Sequence, residues 1–215
     1  MKKQINITVP TDWSAVTLRQ YIALQKDLET YKDNEDAINA VLFHHLCGVG
    51  ADIVGKLDLV TFSNIVRDLN SFMNKSEYPL QKRIKIGDIE YGFEPNLSEM
   101  AYGAYVDLSK YETLKLDEKW AEAMSILYRP IVKSSGNLYE IRGYEGMILE
   151  DLFLDVTMDV HMGAMGFFFS ILRDVQKGIL NSLKEMEGLP PSILTILEKS
   201  GNLTHQFTNW PEGMS

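Results

Sequence analysis

One cysteine, Cys47, is all that a chain of 215 residues carries. No intrachain disulfide can form, so packing alone must hold the fold, and a reducing cytoplasm is the expected setting. Positive charge is also short: 21 lysines and arginines stand against 30 aspartates and glutamates, a net charge of −9. Binding along a phosphate backbone needs a basic stripe that releases counterions. The one local cluster is Lys82, Arg83 and Lys85, so no nucleic acid is expected as a partner. Long hydrophobic runs are missing too. The most apolar tract, residues 160–172, is bounded by Asp159 and Arg173 and falls short of the roughly 20 apolar residues of a bilayer span. The start, Met1-Lys-Lys-Gln-Ile-Asn6, lacks the apolar stretch of a secretory signal, and no membrane partner is expected. Phosphate-binding loops are absent: Cys47-Gly-Val-Gly50 lacks the following Gly-Lys-Ser/Thr and follows a helical pattern instead of a strand.

What is present is ordinary globular composition, 45% hydrophobic and 24% charged, enough to build a sizeable core. The centre of organisation is residues 82–99. Ile84 and Ile86 before Gly87-Asp88, and Ile89, Tyr91 and Phe93 after it, alternate as two strands joined by a two-residue II′ turn, with Gly87 supplying the positive φ. Pro95 ends the second strand, and Asn96 with Glu99 predicts the start of a helix.

Upstream, Ile5, Ile7 and Val9 alternate before Pro10 and predict an edge strand over 3–9. Thr17-Leu-Arg-Gln20 is a capping box, with Val16 and Tyr21 placed as a hydrophobic staple and Leu18, Tyr21, Ile22, Gln25 and Leu28 facing inward. Asn34 caps a second helix whose apolar face is Ile38, Val41, Leu42, His45 and Leu46, stopped by Gly48. Asp58 caps a third, with Phe62, Ile65, Val66, Leu69 and Phe72 at core spacing. Downstream, Met100, Tyr102, Tyr105, Val106 and Leu108 follow a helical period. Asp117 opens a helix carrying Trp120, Met124, Leu127 and Tyr128, broken at Pro130. A strand is expected over 138–142, and a second helix start at Asp155. The longest helix is predicted over 156–187, with Gly163 and Gly166 inside it and Gly188 and Pro190-Pro191 ending it. A short helix over 192–199 follows.

The fold expected is α+β and mainly helical, with six or seven helices on a small antiparallel sheet that includes the hairpin at 84–93. A single globular domain is expected over 1–200: a helical layer at 17–73, hairpin and helix at 82–131, a strand at 138–142 and the long helix at 156–187. Residues 201–215 read as a flexible tail.

Candidate chemistry is sparse. His44 and Cys47 share a helix face at i, i+3, but no Cys-x-x-Cys or His-x-x-x-His spacing completes a metal site, and only His161 and His205 remain as histidine ligands. Glu150, Asp151, Asp155 and Asp159 place acids at four-residue spacing, which suits a cation or acid–base pair and equally a solvated face. No catalytic, cofactor or metal site is assigned, no cofactor is expected, and a metal-dependent hydrolase is the alternative of another class. Met158, Met162 and Met165 with Phe167, Phe168 and Phe169 form a soft aromatic row suited to an adaptable partner surface, and equally to a core helix. Phe207 and Trp210 are further candidate anchors for a partner.

Five stretches, in this order and spacing, resemble tailed-bacteriophage assembly proteins of the tail-assembly-chaperone type. They are Trp13 with Thr17-Leu-Arg-Gln-Tyr21, Leu46-Cys-Gly48, Ile89-Glu-Tyr-Gly-Phe-Glu-Pro-Asn-Leu97, Ala123-Met-Ser-Ile-Leu-Tyr-Arg-Pro-Ile131 and Tyr139-Glu-Ile-Arg-Gly-Tyr-Glu145. The likeness spans residues 4 to 172 and carries over no functional residue. It implies a non-enzymatic role in building a virion in the bacterial host cytoplasm. In proteins of that type a small, largely helical chain coats the apolar length of the tape-measure protein until tail subunits replace it. The alternative within the resemblance is a permanent virion subunit of the head–tail connector or tail. Tape-measure, tail or connector proteins are thus the expected partners, with a homo-oligomer as a further option.

Overall fold

The computed structural model describes residues 6–75, 77–111 and 115–185. Among them the chain is α+β and mainly helical, with eight α-helices and one four-stranded antiparallel sheet. It divides into two compact units, Met1–Ala164 and Met165–Ser215.

The first unit opens differently from the sequence expectation. Residues 6–10 form no strand: Ile7 and Val9 are half-buried while their neighbours Asn6 and Thr8 are exposed, so alternation reflects one-sided packing without a ladder. A 3-10 turn at Trp13–Ala15 follows, capped by the Asp12 carboxylate on the Ser14 N–H. Trp13 is fully buried, with its ring 4.4 Å from Phe72 and edge-on to Tyr21 at 5.6 Å. Its indole N–H donates to the Lys75 carbonyl at 3.0 Å. Burying a large aromatic stabilises by roughly 2–3 kcal/mol, and the indole donor finds a partner while doing so.

Helix α1 (Leu18–Thr30) starts with the predicted capping box: the Thr17 hydroxyl accepts the Gln20 N–H, and the Gln20 side chain accepts the Thr17 N–H. Two orphan donors are thereby satisfied. Asn34 caps α2 (Glu35–Cys47), whose first turn carries Glu35 and Asp36 against the helix dipole. Gly48, at φ 66°, ends it and donates to the His44 carbonyl. After the single turn α3 (Ala51–Val54), Asp58 caps α4 (Leu59–Met73) on the Thr61 N–H. The buried residues of these helices include Leu24 and Phe43 beside the expected Leu18, Leu42, Leu69 and Phe72. Phe43 stacks on Phe62 at 5.5 Å, which draws it inward although it lies off the main apolar period of α2.

Strands β1 (Arg83–Ile86) and β2 (Ile89–Phe93) pair around Gly87-Asp88 with Ile86 opposite Ile89. Gly87 has φ 59° and no described non-glycine residue has positive φ, as a II′ turn requires. Asn96 caps a 3-10 turn, Leu97–Glu99, and no longer helix. Its side chain accepts from Ser98, and the chain turns extended at Met100 before α5 (Tyr102–Leu108). Helix α6 (Glu118–Leu127), capped by Asp117, then runs straight into β3 (Tyr128–Ser135). Tyr128, expected on the helix, is therefore the first strand residue. Pro130 is tolerated inside β3 because it sits where the strand passes from pairing with β2 to pairing with β4 (Leu138–Ile141). Its carbonyl still accepts the Arg142 N–H at 2.8 Å. The strand order is β1-β2-β3-β4, and Ile84, Tyr91, Phe93 and Tyr128 are buried.

The β3–β4 arm folds over β2. Register shifts between Ile131 and Lys133, and the Tyr139 ring then lies on Gly92, where any Cβ would collide with the ring and with Ile141. The Tyr139 hydroxyl donates to the Phe93 carbonyl at 2.7 Å. Arg83 closes the clamp, donating to the Gly136 and Leu138 carbonyls at 2.9 and 3.0 Å with its guanidinium 5.0 Å from the Tyr139 centroid.

Helix α7 (Glu150–Leu154) ends at Asp155, which serves as its C-terminal cap and starts no helix; α8 (Met158–Glu185) begins three residues on. The starts of α1 and α8 are tied by an isolated antiparallel bridge, Thr17 to Thr157. Leu18 N–H donates to the Val156 carbonyl at 3.0 Å and Met158 N–H to the Val16 carbonyl at 2.8 Å. Each helix start thus supplies the acceptor that the other's first N–H needs. Gly163 lets α8 pass the backbone at 79–80, since a Cβ there would strike the Pro79 carbonyl. Gly166 has no described neighbour that close. Residues 3–5 of the strand expected over 3–9, the end of the long helix at 186–187, the helix at 192–199, and the tail with Phe207 and Trp210 lie outside the described residues.

Candidate interaction surface

What chemistry is open to the polar candidates depends on their partners. His44 is exposed, and its neighbour His45 is held by Asp27, Nε2 to Oδ2 at 2.7 Å. Cys47 is half-buried, and burial pushes its thiol up to about 11, the wrong direction for a nucleophile. The acids of 150–159 are engaged separately. Arg19 reaches Asp155 at 2.8 Å and Asp151 at 3.5 Å, and Asp159 accepts from Gln81 at 2.6 Å and from the Thr157 hydroxyl at 2.5 Å. Among the described residues no three His, Cys, Asp or Glu side chains converge so as to hold a metal ion.

Among the described residues a carboxylate, Glu94, and an imidazole, His161, are buried. Glu94 pairs with Arg129, which crosses from β3, and the Arg129 Nε meets no partner among the described residues. His161 is fully buried, its Nε2 3.0 Å from the Phe153 carbonyl, so that nitrogen carries the proton. Burial pulls its pKa down to about 4, and the neutral ring pins the first turns of α8 to the end of α7.

The methionine–phenylalanine row is divided between the two units. In the first, Met158 is fully buried and therefore core, and Met162 is half-buried. In the second, Met165 is buried and Phe167, Phe168 and Phe169 are half-buried, with Phe167 and Phe168 edge to face at 5.7 Å. Within that row, the side chains that present area to solvent are thus Met162 and the three phenylalanines.

More exposed apolar side chains lie elsewhere, among them two tyrosines of α5 that the sequence pattern places in a helical period without marking them as a partner surface. Helix α5 buries Ala104 completely, which brings its backbone close to the body and turns the opposite face outward. Tyr102 is 80% exposed and Tyr105 61% exposed on that outer face, one helical turn apart. Polar bonds clamp the flanks of α5. Tyr144 lies against Gly103 and its hydroxyl donates to Asp107, which also pairs with Lys110 at 2.6 Å. Tyr111 donates to Glu122 of α6 at 2.7 Å. Lys110 and then Tyr144 lower the pKa of Asp107. Burial, then the acidic partner, raises Tyr144 to about 12, so the phenol stays a donor at any physiological pH. Tyr144 also docks its own segment against α5, and three residues on, within about 10 Å of chain, stand Met147 (62% exposed) and Ile148 (44%). Two outward tyrosines and two aliphatic side chains therefore lie on neighbouring, mutually anchored segments. The sequence signal that could have located them is the small Ala104, whose position on the helix marks the true inner face.

Comparison with known proteins finds no matching family model, curated protein or solved structure. Among the described residues no helix is long and apolar enough to cross a membrane.

Proposed function

We propose that this chain is a non-enzymatic bacteriophage morphogenesis protein of the tail-assembly-chaperone type, which acts by binding a helical partner such as the tape-measure protein. The reading rests on the ordered resemblance over residues 4 to 172. The observation that carries the binding role is how the side chains are employed. Three of the acids at 151–159 are tied into structural bonds, Asp151 and Asp155 to Arg19 and Asp159 to Gln81, while large aromatic side chains face outward at Tyr102 and Tyr105. A surface that binds by shape places aromatic anchors outside and needs no convergent polar centre.

The test pairs two measurements on phage-infected cells. Affinity purification of the tagged protein, followed by mass spectrometry, is expected to recover a tape-measure or tail-tube protein during assembly. Purified mature particles are expected to lack the chain. Fixed-copy presence in mature particles would replace the reading with a resident connector or tail subunit. Turnover of a substrate that depended on an added metal ion would end both.

A further inference from the structure

We infer that the outer face of α5 together with Met147 and Ile148 is a docking site for an amphipathic helix whose apolar stripe is flanked by lysine or arginine. This rests on the reading of the protein as a helix-binding one and names where the helix sits and what charge it carries. Tyr102 and Tyr105, one turn apart, present two rings along a single line, the spacing that meets i and i+3 or i+4 side chains of a facing helix. Tyrosine is suited to the task because it offers large apolar area with two side-chain torsions to order. The platform is preorganised: Tyr144 with Asp107, and Tyr111 with Glu122, fix α5 before any partner arrives.

Charge selects the occupant. Residues 96–108 and 144–150 contain no lysine or arginine, and while Asp107 is paired with Lys110, Glu99, Glu145 and Glu150 make no ion pair among the described residues. Glu99 and Glu145 are exposed beside the apolar residues. An acidic helix would meet like charge along both segments, whereas a basic-flanked one gains complementary pairs at the rim. A second copy of this chain would bring the same acids face to face, which disfavours self-pairing through this surface.

The probe is a fluorescein-labelled helical peptide of leucine and lysine with one apolar stripe, compared with its leucine–glutamate counterpart by fluorescence anisotropy against the full chain. The leucine–lysine peptide is expected to bind and the acidic one not. Replacing both tyrosines (Tyr102→Ser with Tyr105→Ser) should weaken binding roughly tenfold or more, as loss of aromatic anchors does. Met147→Ser with Ile148→Ser should weaken it less, and Glu145→Lys should reduce its salt dependence. All these side chains are exposed, so an unchanged melting temperature confirms that each variant folds. Equal binding by wild type and the double tyrosine variant, equal binding of the acidic peptide, or no binding at all would overturn the inference. So would self-association of the wild type that the tyrosine substitutions abolish. If the peptide fails while the tape-measure protein still co-purifies, the face is wrong and the chaperone reading stands. If the peptide binds while the chain proves resident in virions, the reverse holds.

Discussion

Acidification will act on this fold through His161. The ring is fully buried and its Nε2 proton is held by the Phe153 carbonyl, and burial lowers its pKa to about 4 from an ordinary 6.5. The Phe153 and Val156 backbone, and then Asp159, oppose that lowering without cancelling it. Between those two values the unfolded chain binds a proton that the folded chain refuses, so stability is fully present above about pH 6.5 and falls as the pH drops through the window. A tenfold difference in proton affinity between the two states is worth about 1.4 kcal/mol, which gives a loss of about 2 kcal/mol at pH 5 and about 3 kcal/mol at pH 4. Urea unfolding of wild type and His161→Gln at pH 7 and pH 5 isolates this contribution, because carboxylate titrations are common to both proteins. Glutamine keeps an N–H donor for the Phe153 carbonyl, and low protein concentration limits association near the sequence pI of 5.0. Wild type is expected to lose about 2 kcal/mol more than the variant over that interval. In NMR titration the His161 ring resonances should stay at their neutral positions to below pH 5. Parallel pH dependences, or a His161 ring that titrates near 6.5 in the folded protein, would refute the reasoning.

Packing and charge set three further outcomes. Gly92→Ala places a methyl group against the Tyr139 ring and Ile141, so it should cost about 1–3 kcal/mol as an overpacked site; thermal denaturation reads the loss, and Tyr139→Ala in the same chain should recover part of it. Glu94→Gln leaves Arg129 buried without its counter-charge and should destabilise by about 3 kcal/mol or more, whereas Glu94→Leu with Arg129→Met should cost less than either single change, a comparison that a double-mutant cycle settles. Cys47, raised to about 11, should react with a disulfide reagent at pH 8 roughly a hundredfold more slowly than an unburied thiol, until denaturant exposes it.

Local signals are legible wherever a short-range bond decides the backbone. The caps at Thr17, Asn34, Asp58 and Asp117, the Gly48 stop and the Gly87-Asp88 turn each depend on residues within three or four positions, and each is in place. What escapes depends on distant partners. Alternation at Ile7 and Val9 resembles a strand, but a ladder needs a neighbour, and residues 6–10 pack on one side without one. Pro130 reads as a helix breaker, yet it occupies the point where β3 exchanges β2 for β4, which only the assembled sheet reveals. The helical period through Tyr102 and Tyr105 is real, but period alone fixes a face and not which side of it is buried; Ala104 supplies that. For the same reason the row from Met158 to Phe169 reads both as a partner surface and as a core helix, and Met158 belongs to the core.

The pairing of Thr17 with Thr157 sets an order on how the first unit can be made. Neither α1 nor α8 obtains its first backbone acceptor until residues far apart in the chain have met, and closing so long a loop comes late and slowly. During synthesis, therefore, the segment up to the β3–β4 arm leaves the ribosome with its opening helix only half fastened. A chain cut before Val156 would carry a complete capping box and still lack its latch. Such a fragment should be cleaved readily by protease near residues 10–18, whereas the intact chain is protected there.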